Sequence, residues 1–190
     1  MSLMELLHLN QDQIDAALPR VAVGLKKYGW LQTELAARDV SRDREFQTRF
    51  GGFYRVRRNA QWRSAFFEIL EDAKSTRTPF VDALRRLQGA TGRVEASFAS
   101  KLVATVDPTQ PVIDSVVLKN LGLKLPPTGT FDRIGRIADL HQSLARTYSA
   151  YLSSESGRRL VTSFHHSYPN DRLTEIKMLD LVLWQTRAPR

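Results

Sequence analysis

The most regular pattern of apolar and polar positions lies in the stretch that follows Asn59. Its apolar side chains recur three or four residues apart, as one face of a helix requires: Trp62, Ala65, Phe66, Ile69, Leu70 and Ala73. Asn59 directly precedes this stretch and belongs to the residue types that most often cap a helix N-terminus. We therefore predict an amphipathic helix that begins after Asn59.

Two further helices are predicted directly after it. Thr78 is expected to cap the first, with Pro79 in its first turn and Gly89 at its end, since these residue types favour those places. The second follows the short connection GATG and is predicted over residues 93–106. It should end there because Asp107 precedes a proline, and such a residue disfavours helical backbone angles.

The remainder of the chain shows the same helical spacing. Asp114 is expected to open a short helix that Gly122 closes. Residues 12–23 are predicted to be helical in part, with Pro19 bending or splitting the helix. Three more helices are predicted at about 131–152, 155–165 and 173–185. Because no stretch alternates as a strand does, the predicted fold class is all-α.

Length and composition predict one helical domain over residues 1–190, with Met1–Leu3 as an addition ahead of the start at Met4. No apolar run approaches the roughly 18 residues that a membrane span needs, so no membrane partner is expected. The chain has no cysteine, which excludes disulfides, thiolate zinc sites and iron–sulfur clusters. This composition favours a cytoplasmic location.

The charge balance favours a polyanionic partner. Lys and Arg number 28 against 20 Asp and Glu, a net charge of +8. The segment YRVRRN, followed by Trp62 and Arg63, places arginines beside aromatic residues at the start of a helix. The arginines are candidates for phosphate contacts, and the aromatic residues Tyr54 and Trp62 are candidates for base stacking. The candidate arginines are Arg55, Arg57, Arg58 and Arg63. The alternative is a solvated charge cluster with Trp62 in the core.

Lys101 and Asp114 are the candidate catalytic residues, and each has a structural alternative. Lys101 shares a helix face with the small residues Ser97, Ser100 and Ala104, so it either stands in a cleft or lies on a solvated face. Asp114 precedes SVVLKNLG, where an aspartate is an ordinary N-cap, although capping does not exclude a chemical role. No metal site is expected, because His165 and His166 are adjacent and point about 100° apart on a helix.

The segment VEASFASKLVATVDPTQPVIDSVVLKNLGL resembles the core of the helix-hairpin-helix (HhH-GPD) DNA glycosylase superfamily, and the chain is similar to a small, divergent bacterial member. In that family a hairpin leads into a helix with an alanine near its start, and a catalytic aspartate opens the next helix. Ala99 and Asp114 match these two points. The C-terminal MLDLVLWQTR is similar to the endings of several small relatives, so the likeness covers about 84–123 and 173–185.

This resemblance implies a compact multi-helix fold in which helix 173–185 packs back on the hairpin core. It also implies a base-excision repair hydrolase that binds double-stranded DNA, needs no cofactor and acts on a flipped base. Asp114 would stabilise the oxocarbenium-like sugar or activate water. Lys101, which is not the family's lysine by register, would attack C1′ as an amine if burial lowered its pKa. The implied contacts to the DNA backbone come from Gly89, Gly92, Arg93 and Ser97.

The chain departs from the family pattern at the hairpin. With Ala99 on the family's alanine, Arg93 and Glu95 occupy the positions of the two phosphate-binding glycines. Ser97 then occupies the position of the lysine that bifunctional members use, and Lys101 follows one helical turn later. These departures favour a second hypothesis, a nucleic-acid-binding or interaction module that kept the fold but not the catalysis. A helical protein without any nucleic-acid role is the third.

Overall fold

A computed structural model describes residues 7–186, so the expectation for Met1–Leu3 lies outside the described residues. This part of the chain forms nine α-helices and no strand, which confirms the all-α prediction. The helices are α1 (Gln11–Ala37), α2 (Arg44–Tyr54), α3 (Ala60–Thr76), α4 (Phe80–Thr91), α5 (Ala96–Val106), α6 (Ser115–Asn120), α7 (Arg133–Ser153), α8 (Glu155–Ser167) and α9 (Glu175–Gln185). None of these described helices is both long and apolar enough to cross a membrane.

Contacts divide the chain into two units. Unit 1 comprises Met1–Ala22 and Pro108–Arg190, of which residues 7–22 and 108–186 are described. Unit 2 comprises Val23–Asp107 and holds α2 to α5. The segment 84–123, which carries the resemblance, therefore contributes to both units. Nothing tests the prediction of a single domain, which stays a prediction.

The core of unit 2 is a cluster of aromatic rings from α2, α3 and α5. Neighbouring ring centroids lie 4.7–6.5 Å apart, the usual range for aromatic pairs: Phe46, Phe50, Tyr54, Trp62, Phe66, Phe67 and Phe98. Helix α3 begins as predicted, because the Asn59 side chain accepts the backbone N–H of Trp62 at 2.9 Å. Helix α2 has no counterpart among the predicted helices, since Gly51 and Gly52 lower the helix propensity of its last turn.

The boundaries of α4 and α5 correct two predictions. Pro79 occupies the N-cap of α4, while the Thr78 hydroxyl pairs with that of Thr76 at 2.7 Å. Gly89 lies inside α4 and does not end it. The helix ends at Gly92, whose backbone is left-handed (φ 71°), and Gly92 donates its N–H to the Gln88 carbonyl at 2.8 Å. Helix α5 then begins at residue 96, because residues 92–95 form the turn that reverses the chain.

Unit 1 packs the first part of α1 with α6 to α9. Helix α1 continues through Pro19 without a break, so of the two predicted effects of this proline, a bend or a split, the split is wrong. The buried stripe that includes Ile14, Leu18 and Val21 holds the helix together around the one hydrogen bond that proline cannot donate. Helix α9 packs on α6, where the Asn120 side-chain amide donates to the backbone carbonyl of Leu183 at 3.2 Å.

The chain turns sharply from α7 into α8. Ser154 ends α7 and caps α8, where its hydroxyl accepts the N–H of Gly157 at 3.1 Å. A side chain at Gly157 would place its Cβ 2.1 Å from the Tyr151 carbonyl oxygen, far inside van der Waals contact. This corner therefore requires glycine. Helix α7 itself begins later than predicted, because Asp132, in left-handed backbone (φ 45°), is its N-cap.

Candidate functional site

Asp114 lies at the N-cap of α6 in unit 1, as predicted. Its carboxylate accepts the backbone N–H of Val116 at 2.9 Å, and its backbone is extended. The residue is partly exposed, and its carboxylate is held by the end of the helix.

The loop that leads to Asp114 is held by three side chains of unit 1. The Thr174 hydroxyl donates to the Pro108 carbonyl at 2.6 Å, and the His141 ring nitrogen Nε2 lies 3.1 Å from the Pro111 carbonyl. The carboxylate of Asp180 receives a backbone hydrogen bond from Val112. Because these contacts come from α7 and the start and middle of α9, the loop has little freedom to move relative to those helices.

Asp180 belongs to a fully buried polar cluster that the sequence analysis did not identify. Lys177 donates to one carboxylate oxygen at 3.1 Å, and the Tyr148 hydroxyl donates to the other at 3.0 Å. Burial raises the pKa of the Asp180 carboxyl, and it raises that of the Tyr148 hydroxyl well above its ordinary value. The signal in the sequence was two charged residues inside the apolar run of α9, EIKMLDLVLW.

His141 is the other buried titratable group at this loop, with 5% of its surface exposed. Burial lowers the pKa of its imidazole to about 4, so the ring is neutral near pH 7. A carbonyl oxygen can only accept, so the neutral ring carries its proton on Nε2 and donates it to Pro111. The Pro111 anchor thus requires a proton on Nε2 of His141.

In unit 2 an ion pair joins two segments that were predicted to contact nucleic acid. The guanidinium of Arg58 binds the Glu95 carboxylate at 3.0–3.3 Å through two nitrogens, and it lies 5.0 Å from the ring centroid of Phe98. The arginine-rich loop before α3 therefore lies against the turn between α4 and α5. Because the guanidinium of Arg58 already binds Glu95, Arg58 is less suited to bind a DNA phosphate than the sequence predicts.

Four exposed arginines flank this junction, and we call them the arginine surface: Arg55, Arg57, Arg63 and Arg93. Within the part of the chain that the structure describes, none of the four forms an ion pair. Gly92 is also exposed at the turn, whereas Gly89 lies one turn earlier on the exposed side of α4. The Arg58–Glu95 pair thus brings the segment that carries Arg55 and Arg57 against the segment that carries Arg93.

Lys101 is enclosed, with 6% of its surface exposed, so its placement on a solvated face is wrong. Its ammonium group donates to the Ser97 hydroxyl at 3.0 Å, one helical turn earlier on α5. It also lies 5.5 Å from the ring centroid of Phe98 and 5.9 Å from that of Tyr54, within cation–π range. The amine of Lys101 is therefore buried beside a hydroxyl and two aromatic rings, and the Ser97 hydroxyl accepts its hydrogen bond.

Tyr54 and Trp62 lie in the aromatic core of unit 2, at 4% and 6% exposure. The Trp62 ring packs 5.1 Å from that of Phe66 and 4.7 Å from that of Phe98. The structural alternative, Trp62 in the core, is confirmed. Stacking of a base on either ring would require the cluster to open.

Among residues 7–186, no three His, Cys, Asp or Glu side chains are arranged as the ligands of a metal ion. His165 and His166 are exposed at the end of α8.

The chain was compared with protein-family models, with curated proteins and with solved structures. No family model, no curated protein and no solved structure matches it.

Proposed function

We propose that the protein binds nucleic acid, with double-stranded DNA as the favoured ligand, through a helix-hairpin-helix core, and that it acts as a base-excision DNA N-glycosylase with Asp114 as the catalytic carboxylate. The observation that supports the binding proposal is the junction formed by Arg58 and Glu95. It places the arginine-rich loop beside the turn of an αα-hairpin, whose left-handed glycine, Gly92, is exposed. Hairpin turns and flanking arginines together suit the DNA backbone.

The arginine surface supplies the charge that such a contact requires. Guanidinium groups match phosphate oxygens in pairs, and each phosphate that is neutralised releases condensed counterions. Arg57 and Arg93 flank the junction from its two segments and have no acidic partner among the described residues. Binding through them should therefore weaken steeply as the salt concentration rises.

The chemistry proposed for Asp114 follows from its position on a held loop. As the bond between C1′ and the base nitrogen breaks, the base leaves with the bonding electrons and the sugar becomes cationic. The Asp114 carboxylate stabilises this cation and accepts a proton from the water that adds to C1′. The anchors at Pro108, Pro111 and Val112 support this role, because a charge stabiliser acts best when it need not reorganise.

A second candidate function, a nucleic-acid-binding module without catalysis, is favoured by Glu95. Its carboxylate occupies the hairpin turn, where the family holds a DNA phosphate, and it is already neutralised by Arg58. Lys101 is enclosed by Ser97 and two aromatic rings, which restricts access of a sugar to its amine. These two observations weigh against lyase chemistry and leave the binding proposal unchanged.

The binding proposal is tested by fluorescence anisotropy with a labelled duplex between about 50 and 200 mM salt. We expect the double variant Arg57→Gln/Arg93→Gln to bind more weakly, with a salt slope smaller by about 2, one unit per lost phosphate contact. The matched control is Arg42→Gln/Arg85→Gln, which removes the same charge from exposed positions of unit 2 that are paired with acids. Equal losses in both variants would contradict the proposed surface, and no affinity at the lowest salt would contradict DNA binding.

The catalytic proposal is tested with duplexes that carry a panel of damaged or mismatched bases. Base release should be lost in Asp114→Asn, because asparagine keeps the helix cap and removes the charge. The control Asp139→Asn changes an exposed aspartate of α7 and should retain activity. Borohydride trapping reports whether Lys101 forms an adduct, since Lys101→Gln would then abolish it. Salt-dependent binding without release from any base would favour the module.

A further inference from the structure

The loop between α6 and α7 exposes an aromatic ring that neither the sequence analysis nor the proposed function uses. Phe131 is 89% exposed, whereas the other exposed large apolar residues of the described chain, Val23 and Val116, are 67% and 38% exposed. Phenylalanine is usually among the most buried residue types. A single exposed apolar side chain is ordinary on a protein surface, so this ring is informative only together with the charges beside it.

The exposed position of Phe131 is set by a loop with its own hydrogen bonds. The Thr130 hydroxyl donates to the Pro127 carbonyl at 2.8 Å, and Arg133 Nε donates to the Pro126 carbonyl at 3.0 Å. Arg136 Nε donates to the carbonyl of Phe131 itself at 3.3 Å. These bonds hold the backbone of the loop on both sides of Phe131.

The backbone on either side of Phe131 is also specialised. Gly129 and Asp132 have left-handed backbone, with φ of 87° and 45°. The Asp132 carboxylate caps α7 by accepting the N–H of Gly135 at 3.2 Å, and a Cβ at Gly135 would lie 2.1 Å from that carboxylate. A left-handed aspartate is uncommon, and this one is maintained by the cap that it makes.

The charges that neighbour Phe131 in the sequence, over residues 124–136, are mainly positive. Lys124 and Arg136 are exposed and Arg133 is partly exposed, while the one acid of this stretch, Asp132, is engaged at the helix cap. Within residues 7–186, none of the three cations forms an ion pair. Arg133 and Arg136 each use Nε in the loop, so their terminal nitrogens remain available as donors to an anion.

An aromatic ring beside several cations fits a ligand that is both planar and anionic. Single-stranded nucleic acid has both properties, since its bases stack on aromatic side chains while cations follow its backbone. A membrane surface fits less well, because interfacial binding needs a broad apolar face and this loop offers one ring. The chemistry therefore favours a nucleotide chain with at least one unpaired base.

We propose that Phe131 stacks on an unpaired base of single-stranded or locally opened DNA, and that Lys124, Arg133 and Arg136 hold the adjacent phosphates. This inference rests on the proposed nucleic-acid binding and adds a contact of a different kind, which is located in unit 1. It assigns the recognition of unpaired bases to this loop, whereas the arginine surface of unit 2 contacts the backbone.

The test compares Phe131→Leu, which removes the ring, with Phe131→Trp, which keeps an aromatic surface. A 12-nucleotide strand with one central 2-aminopurine reports stacking through quenching of its fluorescence. We expect Phe131→Leu to bind this strand about tenfold more weakly and to lose the quenching, because a stacked base contributes roughly that factor. Phe131→Trp should retain both, and Val23→Ala, at the second exposed apolar residue, should behave as the unaltered protein.

The salt dependence separates this inference from the proposed function. Phe131→Leu should keep the salt slope, since it removes no charge, whereas Arg57→Gln/Arg93→Gln should lower it. If Phe131→Leu binds and quenches normally while the arginine variant binds weakly, the stacking inference is wrong and the proposed function stands. If the unaltered protein has no affinity for any DNA, both are wrong. Loss of binding to anionic phospholipid vesicles, with DNA binding intact, would assign the loop to a membrane surface and overturn the inference.

Discussion

The buried imidazole of His141 makes the stability of the protein depend on pH between about 6.5 and 4. In the unfolded chain, a histidine binds its second ring proton near pH 6.5. In the folded chain, burial lowers this pKa to about 4. Between these values the unfolded state binds more protons, so the free energy of unfolding falls as the pH falls. Above pH 6.5 the contribution is complete, and below pH 4 the loss does not grow further.

The magnitude follows from the width of this window. Each unit of pKa difference corresponds to about 1.4 kcal/mol, so His141 should account for a loss of about 2 kcal/mol between pH 6.5 and 5 and about 3 kcal/mol by pH 4. The loss should be felt first near Pro111, because the ring that acquires the charge is buried against that part of the loop. The region that carries Asp114 is therefore expected to be the pH-sensitive part of unit 1.

The assay is urea unfolding at a series of pH values for the unaltered protein and for His141→Gln. Glutamine can donate an amide N–H to Pro111 but does not titrate, so the difference between the two curves isolates the imidazole. We expect the variant to be less stable by about 1–2 kcal/mol at pH 7 from imperfect packing, and this deficit to disappear or reverse by pH 5. Parallel curves, or an NMR titration of His141 near pH 6.5, would refute the reasoning.

Three further predictions concern stability and share the same unfolding assay. Gly157→Ala should lower the free energy of unfolding by about 2–4 kcal/mol, because the new Cβ clashes with the backbone at the α7–α8 corner. Gly89→Ala should raise it by about 0.5–1 kcal/mol, because the added Cβ has no neighbour within 4 Å. Equal effects of the two substitutions would contradict the close contact at Gly157. Tyr148→Phe should cost about 2 kcal/mol, because its hydroxyl donates to a buried carboxylate. Tyr151→Phe should leave the free energy of unfolding unchanged, because within the described residues its buried hydroxyl has no hydrogen-bond partner. Equal losses in Tyr148→Phe and Tyr151→Phe would contradict the role given to the Tyr148 hydrogen bond. Asp114→Ala should lower the free energy of unfolding by about 1 kcal/mol, because it removes the cap of α6, whereas Asp114→Asn keeps the cap and should not lower it. Equal losses in the two variants would show that the charge of Asp114, and not its capping bond, stabilises the helix.

The features that could be predicted from sequence are those that depend on a few neighbouring residues. The caps at Asn59 and Asp114 form as expected, because an N-cap bond joins a side chain to a backbone N–H two or three residues away. The end of α5 before Pro108 follows from the geometry of one peptide unit. Local glycine signals were less decisive: Gly89 and Gly92 both lie near the end of α4, and only the backbone conformation distinguishes them.

The candidate sites were harder to predict, because their properties depend on residues that are distant in sequence. Lys101 has an ordinary place on an amphipathic helix, and nothing nearby in the sequence indicates that two aromatic rings enclose it. The pairing of Arg58 with Glu95 spans 37 residues. Phe131 was expected at the start of a helix, whereas it lies in the loop before the N-cap, Asp132, and is exposed.

By itself, the sequence determined the helical class, most helix positions and the two caps, since periodicity and capping act within one or two turns. Only the tertiary structure decided which polar groups are buried and what they contact. Asp180 and Lys177 pair with each other in an apolar run of α9, and the other partners of Asp180 come from α7 and from the loop before Asp114. The physical reason is that the energy of a buried charge depends on the groups packed around it in space, and local sequence does not specify those groups.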